Sequence, residues 1–219
     1  MTEPGACSHA AGMKRMRAIG AVAGVYGAAH APSSGQPPSR HPFVTVSRDA
    51  LVLDPAGIVG DLHAGATRIS GAREPWLARG LILRNDRQVS ALCPEELAEI
   101  ASRLGIDRLA PEWLGGNVLI GGLAGFSRIV PGSQLAFGGQ WGGKGRFDGS
   151  AVLRVEAYNV PCRRAGAAVA AATGRPELTF AFVKAAAGLR GLVLSVDLAG
   201  TIMPDDAVVV IDPVTPKHG

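Results

Sequence analysis

No two of the three cysteines, Cys7, Cys93 and Cys162, stand close enough in the chain to form a CxxC pair. This removes the usual motifs for clamping a metal or exchanging a redox disulfide. Three widely spaced thiols, an odd number, are expected as free cysteines in a reducing cytoplasm. No apolar run approaches the ~20 residues of a membrane span. Dense basic runs are also missing, so nucleic acid is not an expected partner. A Gly-rich phosphate loop, GxSxG and HExxH are all absent, which leaves P-loop, hydrolase-elbow and zincin chemistry without a motif.

What the chain does have is small and apolar. Its 219 residues are 47% hydrophobic and only 18% charged, with 30 Gly and 15 Pro, a composition expected of one folded domain cut into many short elements. The net charge of +4 comes from 22 basic residues of which only Lys14, Lys144, Lys184 and Lys217 are lysines. Arginine's planar fork suits phosphate or carboxylate, although the same excess follows from a composition saturated with Ala, Gly, Pro and Arg.

Residues 1–17 read as a flexible tail and 18–213 as the folded domain. Lys14 to Arg17 followed by AIGAVAGVYGAAHA imitates a signal peptide with an A-x-A ending at Ala29 or Ala31. Gly20, Gly24 and Gly27 interrupt that stretch and it contains no Leu or Phe, so it is expected to be uncleaved and the protein cytoplasmic. Ile19, Val22 and Val25 instead suit a first strand.

Pro32 to Pro42 is a turn-rich connection. Phe43–Val46 and Ala50–Leu53 read as a strand pair around Ser47-Arg48-Asp49, and Gly57–Gly60 leads into GDLHAG. Gln88–Leu92, Asn117–Ile120, Leu135–Phe137, Ala151–Tyr158, Gly191–Asp197, Thr201–Ile202 and Ala207–Ile211 read as further strands. A helix is expected over 94–104, opened by Pro94, with Leu97, Ile100 and Leu104 on one face and Gly105 at its end. Others are expected over 163–173 and from Leu178 to Ala186. Many strands with few helices argue a mainly β fold, a largely antiparallel barrel. Gly138–Gly149 reads as a long hairpin loop; Trp141, Lys144, Arg146 and Phe147 there form either a binding surface or a plain hairpin tip.

Cys162 follows Pro161 and precedes a helix, where backbone N–H groups and the adjacent Arg163 and Arg164 favour the thiolate, the nucleophilic and metal-binding form. The alternative is a small buried core residue. Cys93 also precedes a helix, but Glu95 and Glu96 oppose its ionisation; Cys7 lies in the tail. His63 sits between glycines that allow close backbone approach to a ligand, or it belongs to a tight turn in which Asp61 bonds the local backbone. Arg190 either presents a guanidinium to a phosphate or forms a surface ion pair.

In chain order, GDLHAG (Gly60 to Gly65), RQV (Arg87 to Val89), GNV (Gly116 to Val118), PGSQLAFG (Pro131 to Gly138), NVPC (Asn159 to Cys162), the RG at Arg190 and GTIMPDDAV near the end together resemble the MOSC family. The resemblance covers roughly residues 19 to 211. It implies a β-barrel with appended helices that binds the molybdenum cofactor (molybdopterin). It further implies that the Cys after Pro, here Cys162, carries sulfur or ligates molybdenum, and that His63, Asn117 and Arg190 line the cofactor pocket. Gly116 stands where many members have an acidic residue, and Asp205-Asp206 replaces a Gly-Asp pair. The resemblance also implies partners: a pyridoxal-phosphate cysteine desulfurase as sulfur source, or an electron donor if the protein reduces N-hydroxylated bases or amidoximes. A different class of function, a non-catalytic barrel binding an anionic partner such as RNA, would draw on the arginine excess and the Gly138–Gly149 loop.

Overall fold

The computed structural model describes residues 16–29, 45–139, 141–142, 146–147 and 149–213. Along the chain run strands β1 (Met16–Ala28), β2 (Thr45–Arg48), β3 (Leu51–Asp54), β4 (Gly57–Ile58), β5 (Thr67–Ile69), β6 (Ile82–Arg84) and β7 (Val89–Leu92). Helix α1 (Pro94–Leu104) and a 3-10 turn at Pro111–Leu114 precede β8 (Val118–Gly121) and β9 (Gln134–Phe137). Then come β10 (Trp141–Gly142), β11 (Arg146–Phe147), β12 (Ala151–Tyr158), α2 (Arg163–Thr173), α3 (Leu178–Ala185), β13 (Leu192–Leu198), β14 (Gly200–Ile202) and β15 (Ala207–Ile211).

Seven strands close into a barrel in the order β1, β15, β9, β12, β13, β7, β8, with β8 bonded back to β1. All neighbours are antiparallel except β7 and β8, which run parallel because α1 carries the chain across between them. The strands alternate as a one-sided sheet must. On β12, Ala151, Leu153 and Val155 point into the barrel core, while Arg154 and Glu156 face out and pair with Asp197 and Arg84.

On β7, Val89 and Ala91 point into the barrel. Leu92 instead joins a second core outside it, with Leu97, Ile100 and Leu104 of α1, Leu114, Val169 of α2, and Leu178 and Phe182 of α3. The helices therefore form a layer on the outer face of the β7–β8 region. Each fully buried aliphatic or aromatic side chain there stabilises the docking by about 1.5–3 kcal/mol. Helix α1 begins at Pro94 and ends at Gly105, whose φ of +61° lets its N–H bond Ala101 O and Ser102 O, an end that a residue with a Cβ adopts at a cost.

The mainly β barrel expected from sequence is what the chain forms, and α1 and α2 cover the expected 94–104 and 163–173. Of the expected pair, Phe43 and Val44 lie outside the described residues, and Thr45–Val46 does not pair with Ala50–Leu53. β2 instead bonds the end of β1, from Val25↔Arg48 to Ala28↔Thr45, and β3 lies between β14 and β4. The longer β1 offers β2 a ready edge, and non-local pairing overrides the local turn. Lys144 of the Gly138–Gly149 loop lies outside the described residues, as do Cys7 and Pro32 to Pro42; β10 and β11 pair within that loop. Among the described residues no helix is long and apolar enough to cross a membrane.

Candidate functional site

Ser90 lies between Val89 and Ala91, so its side chain faces outward with Leu92, toward the helical layer. Several of the polar residues singled out above meet on this face. Asn159, at the end of β12, donates from Nδ2 to Ser90 Oγ (3.2 Å) and from its backbone N to Gly191 O (2.9 Å). The chain then passes Val160 and Pro161 to Cys162, the N-cap residue of α2. Cys162 is exposed and has extended backbone angles with no capping bond from its side chain. Its thiol thus sits at the positive end of an 11-residue helix, where the dipole favours negative charge.

Arg190, within electrostatic range of Cys162, is only 4% exposed. Its Nη2 donates to Leu114 O at 2.7 Å, while Nη1 is fully buried and has no hydrogen-bond partner among the described residues. Burial pushes the guanidinium down to about 10, and the charge of Cys162 acts in the opposite sense. The group stays protonated near neutral pH, so a buried cation stands within electrostatic range of the thiol. Of the adjacent arginines, Arg163 lies over the Phe180 ring, 5.0 Å from its centre. Tyr158, Val160 and Phe180 are exposed and give the Cys162 region an apolar rim.

Arg190 is placed by Gly191, whose φ is +85° and whose added Cβ would fall 2.0 Å from Ala91 O. No other residue fits there without displacing β7. Gly191 N donates to Ser127 Oγ (2.7 Å). Ser127 in turn donates from both its N and its Oγ to the buried carboxylate of Glu96 on α1. Ser127 and Ser90 escaped the sequence reading, and Glu96 entered it only as a neighbour of Cys93, because their role here depends on contacts between distant segments. Asn159 stood in plain view within NVPC.

Asn117 is 3% exposed. Its Oδ1 accepts from Ser90 N (2.9 Å) and its Nδ2 donates to Tyr26 O (3.3 Å), while its backbone bonds the same two residues. It fastens β8 to β7 and β1 and so supports the Cys162 face. His63 belongs to another part of that face. Gln88, two residues before Ser90 and about 7 Å along β7, donates to Pro55 O (3.0 Å) and Gly65 O (3.5 Å), anchoring the loop that carries His63. The imidazole is half exposed and stands 3.3 Å from Asp61 Oδ1, which also accepts from His63 N (3.0 Å). Asp61 Oδ2 accepts from Ala28 N (3.2 Å). Burial alone would raise the Asp61 pKa, but the bonds from His63 and Ala28 hold it below the ordinary carboxylate value. This is the tight-turn arrangement that was the alternative reading of His63. Thus Cys162 and Arg190 come together, Asn117 braces them through Ser90, and no bond joins His63 to any of the three.

A cleft of about 290 Å³ lies beside Asp61 and Arg48, lined also by Val52 and Val59; neither Cys162 nor Arg190 borders it. Among the described residues no three His, Cys, Asp or Glu side chains cluster to hold a metal ion. A metal held at Cys162 would therefore bring most of its ligands with it.

Residues 63–209 match the MOSC domain. The chain belongs to the MOSC family. It is 38% identical over 167 residues to YuaD of Bacillus subtilis (strain 168), whose name refers to metal-sulfur cluster biosynthesis, covering 76% of this chain and 82% of that protein. The crystal structure of the Bacillus subtilis YuaD protein superposes with a TM-score of 0.76 at 34% identity, covering 92% of this chain and 100% of that one. YiiM from Escherichia coli shares the fold at a TM-score of 0.52 and 17% identity, over 91% of this chain and 72% of its own. The MOSC match spans His63, Asn117, Cys162 and Arg190.

Proposed function

We propose that this MOSC protein binds the molybdenum cofactor at Cys162 and acts in the cytoplasm in sulfur carriage or in cofactor-dependent reduction of N-hydroxylated compounds. The observation that carries the reading is the exposed Cys162 at the start of α2 within electrostatic range of the buried Arg190, whose Nη1 lacks a partner among the described residues. A buried, half-satisfied guanidinium is costly unless an anion meets it. The donor set fits the group: Cys162 supplies one soft sulfur, matched to a soft metal–sulfur centre, and Arg190 supplies a charged N–H for an anionic atom beside it. When bound, the cofactor supplies a redox-active molybdenum–sulfur centre.

The chain's own residues hold and shield that position. Cys162 presents its sulfur at the helix end, and Asn159, Ser90 and Asn117 fix the segment that carries it. Gly191 fixes the backbone next to Arg190. Val160 and Phe180 offer apolar surface to a flat organic ligand. His63 lies farther along the same face, at its rim. A cysteine desulfurase supplies sulfur in the first role, and an electron-donor protein supplies reducing equivalents in the second.

Protein made in a cofactor-competent host should copurify with molybdenum and pterin in near-equal amounts. A reductase should then turn over an amidoxime with an artificial electron donor, while a carrier should hold cofactor or sulfur without turnover. Protein free of both metal and pterin after such expression would refute the reading.

A further inference from the structure

The two-stranded sheet of β5 and β6 stands apart from the barrel sheet, and its polarity is inside out. Its register pairs Arg68 with Leu83 and Ile69 with Ile82, and strand alternation sends the two pairs to opposite faces. The first face is half-buried. There Arg68 donates from Nε to Asp86 (2.7 Å) and from Nη2 to Glu74 (2.8 Å). The second face carries two isoleucines that are 67% and 77% exposed. A hairpin meeting only water on that face would carry the reverse pattern, because exposed aliphatic surface stabilises nothing until something covers it.

The loop between the strands extends this surface. Leu81 is exposed, and so is Trp76, at 76%, with the exposed Arg73 and Arg79 on either side in the chain. The loop is braced at both ends. The other oxygen of Glu74 accepts from Gly71 N (3.0 Å) and its carbonyl from Leu77 N (3.0 Å). Ser70 Oγ donates to Ala78 O (2.6 Å) and accepts from Leu81 N (2.9 Å). Trp76 thus lies two residues from the anchored Glu74 and two from the anchored Ala78. A large aromatic held outward on a braced loop loses little freedom when it docks, and Trp with Arg is the composition of interface hot spots.

Charge selects the occupant. Residues 66–87 hold five arginines, no lysine and two acids, Glu74 and Asp86, and both acids are bonded to Arg68. Arg73 and Arg79 therefore leave the exposed loop positive, which repels a second copy of itself and attracts an acidic surface. Their planar forks match carboxylates, and a loop of fixed shape is favoured by a shaped protein surface rather than by a fluid bilayer.

We propose that the β5–β6 hairpin docks an acidic protein partner, with Ile69, Trp76 and Ile82 at the centre of the contact and Arg73 and Arg79 pairing with carboxylates at its rim. The surface is independent of Cys162.

Full-length protein with the photoreactive p-benzoylphenylalanine in place of Leu81, or of the exposed Met203 as a control, is irradiated inside its native host, and adducts are identified by mass spectrometry. A discrete adduct to a protein of acidic sequence is expected from the Leu81 position and not from Met203. That protein, purified, is then titrated calorimetrically against the parent chain. Trp76→Ala should weaken binding at least about tenfold. The double variant Arg73→Glu with Arg79→Glu should weaken it by a similar factor and flatten its loss with rising salt. All three positions are exposed, so melting curves should stay with the parent. Cys162→Ser should bind the partner as the parent does, whatever becomes of the cofactor reading. A lipid adduct alone would assign the hairpin to a membrane, and a self-adduct alone to a homodimer; either overturns the proposal. So would the absence of any adduct specific to Leu81, a partner without acidic character, or binding that ignores both variants.

Discussion

Two corners of this fold share one local plan and differ in burial and in the charge around the thiol. Cys93 follows β7 and opens α1; Cys162 follows β12 and opens α2. Both have extended backbone angles, and neither side chain caps its helix. Yet Cys93 is 2% exposed within the barrel core and its S–H donates to Glu95 Oε2 at 2.9 Å. Burial first, and then that bond, push its thiol up to about 12. Cys162 is exposed and within electrostatic range of a buried arginine. The two helix starts differ in the charge that surrounding elements deliver, a carboxylate from α1 in one case and a guanidinium just before β13 in the other.

The largest expected contrast is in alkylation. In a Cys7→Ser background near pH 7, Cys162 should react with iodoacetamide at least about a hundredfold faster than Cys93, which should label only after denaturation. Peptide mapping after timed quenching checks this. Comparable rates would remove the distinction between the two corners.

Much of that distinction could be read from local sequence, and the decisive part could not. Pro94, Gly105 and the Leu97–Ile100–Leu104 face marked α1, and Glu95 and Glu96 marked Cys93 as the poorer nucleophile. The alternating pattern of Ala151–Tyr158 marked β12. By contrast, the Arg163 and Arg164 flank was the only charge near Cys162 that local sequence offered. A buried cation within electrostatic range of Cys162 is Arg190, 28 residues away, on the segment that the β12–β13 pairing brings alongside. Sequence alone could not tell this from a surface ion pair, because burial depends on contacts that no local period encodes. The same holds for β2, which leaves β3 for the edge of β1, and for Asn117, whose amide is taken up by backbone groups of two other strands. The hairpin of β5 and β6 was missed because its three-residue strands carry no buried alternation.

A next-largest effect is expected from Gly191→Ala, which places a Cβ against Ala91 O and forbids the native φ. It should destabilise the fold by about 2–4 kcal/mol, read from the urea midpoint. It should also slow alkylation of Cys162 while leaving Cys93 silent. A variant as stable as the parent would mean that Arg190 is not held by this contact.

A smaller effect isolates Cys93. Its folded-state thiol is raised above the ordinary value of 9.0, so the folded protein retains a proton that the unfolded chain loses. Its contribution to stability is complete below about pH 9 and is lost as pH rises toward about 12. The difference in unfolding free energy between parent and Cys93→Ala should therefore fall by up to about 1.4 kcal/mol per pH unit across that window. A pH-independent difference would show that the thiol is not held protonated.

The central claim is that Cys162, and not Cys93, holds the cofactor. The direct measurement is molybdenum per chain, by elemental analysis, in parent, Cys162→Ser and Cys93→Ser proteins purified side by side from a cofactor-competent host, with folding checked by circular dichroism. The account predicts near-parent loading in Cys93→Ser and loss of most molybdenum in a folded Cys162→Ser. Full loading of Cys162→Ser, or loss confined to Cys93→Ser, would contradict it.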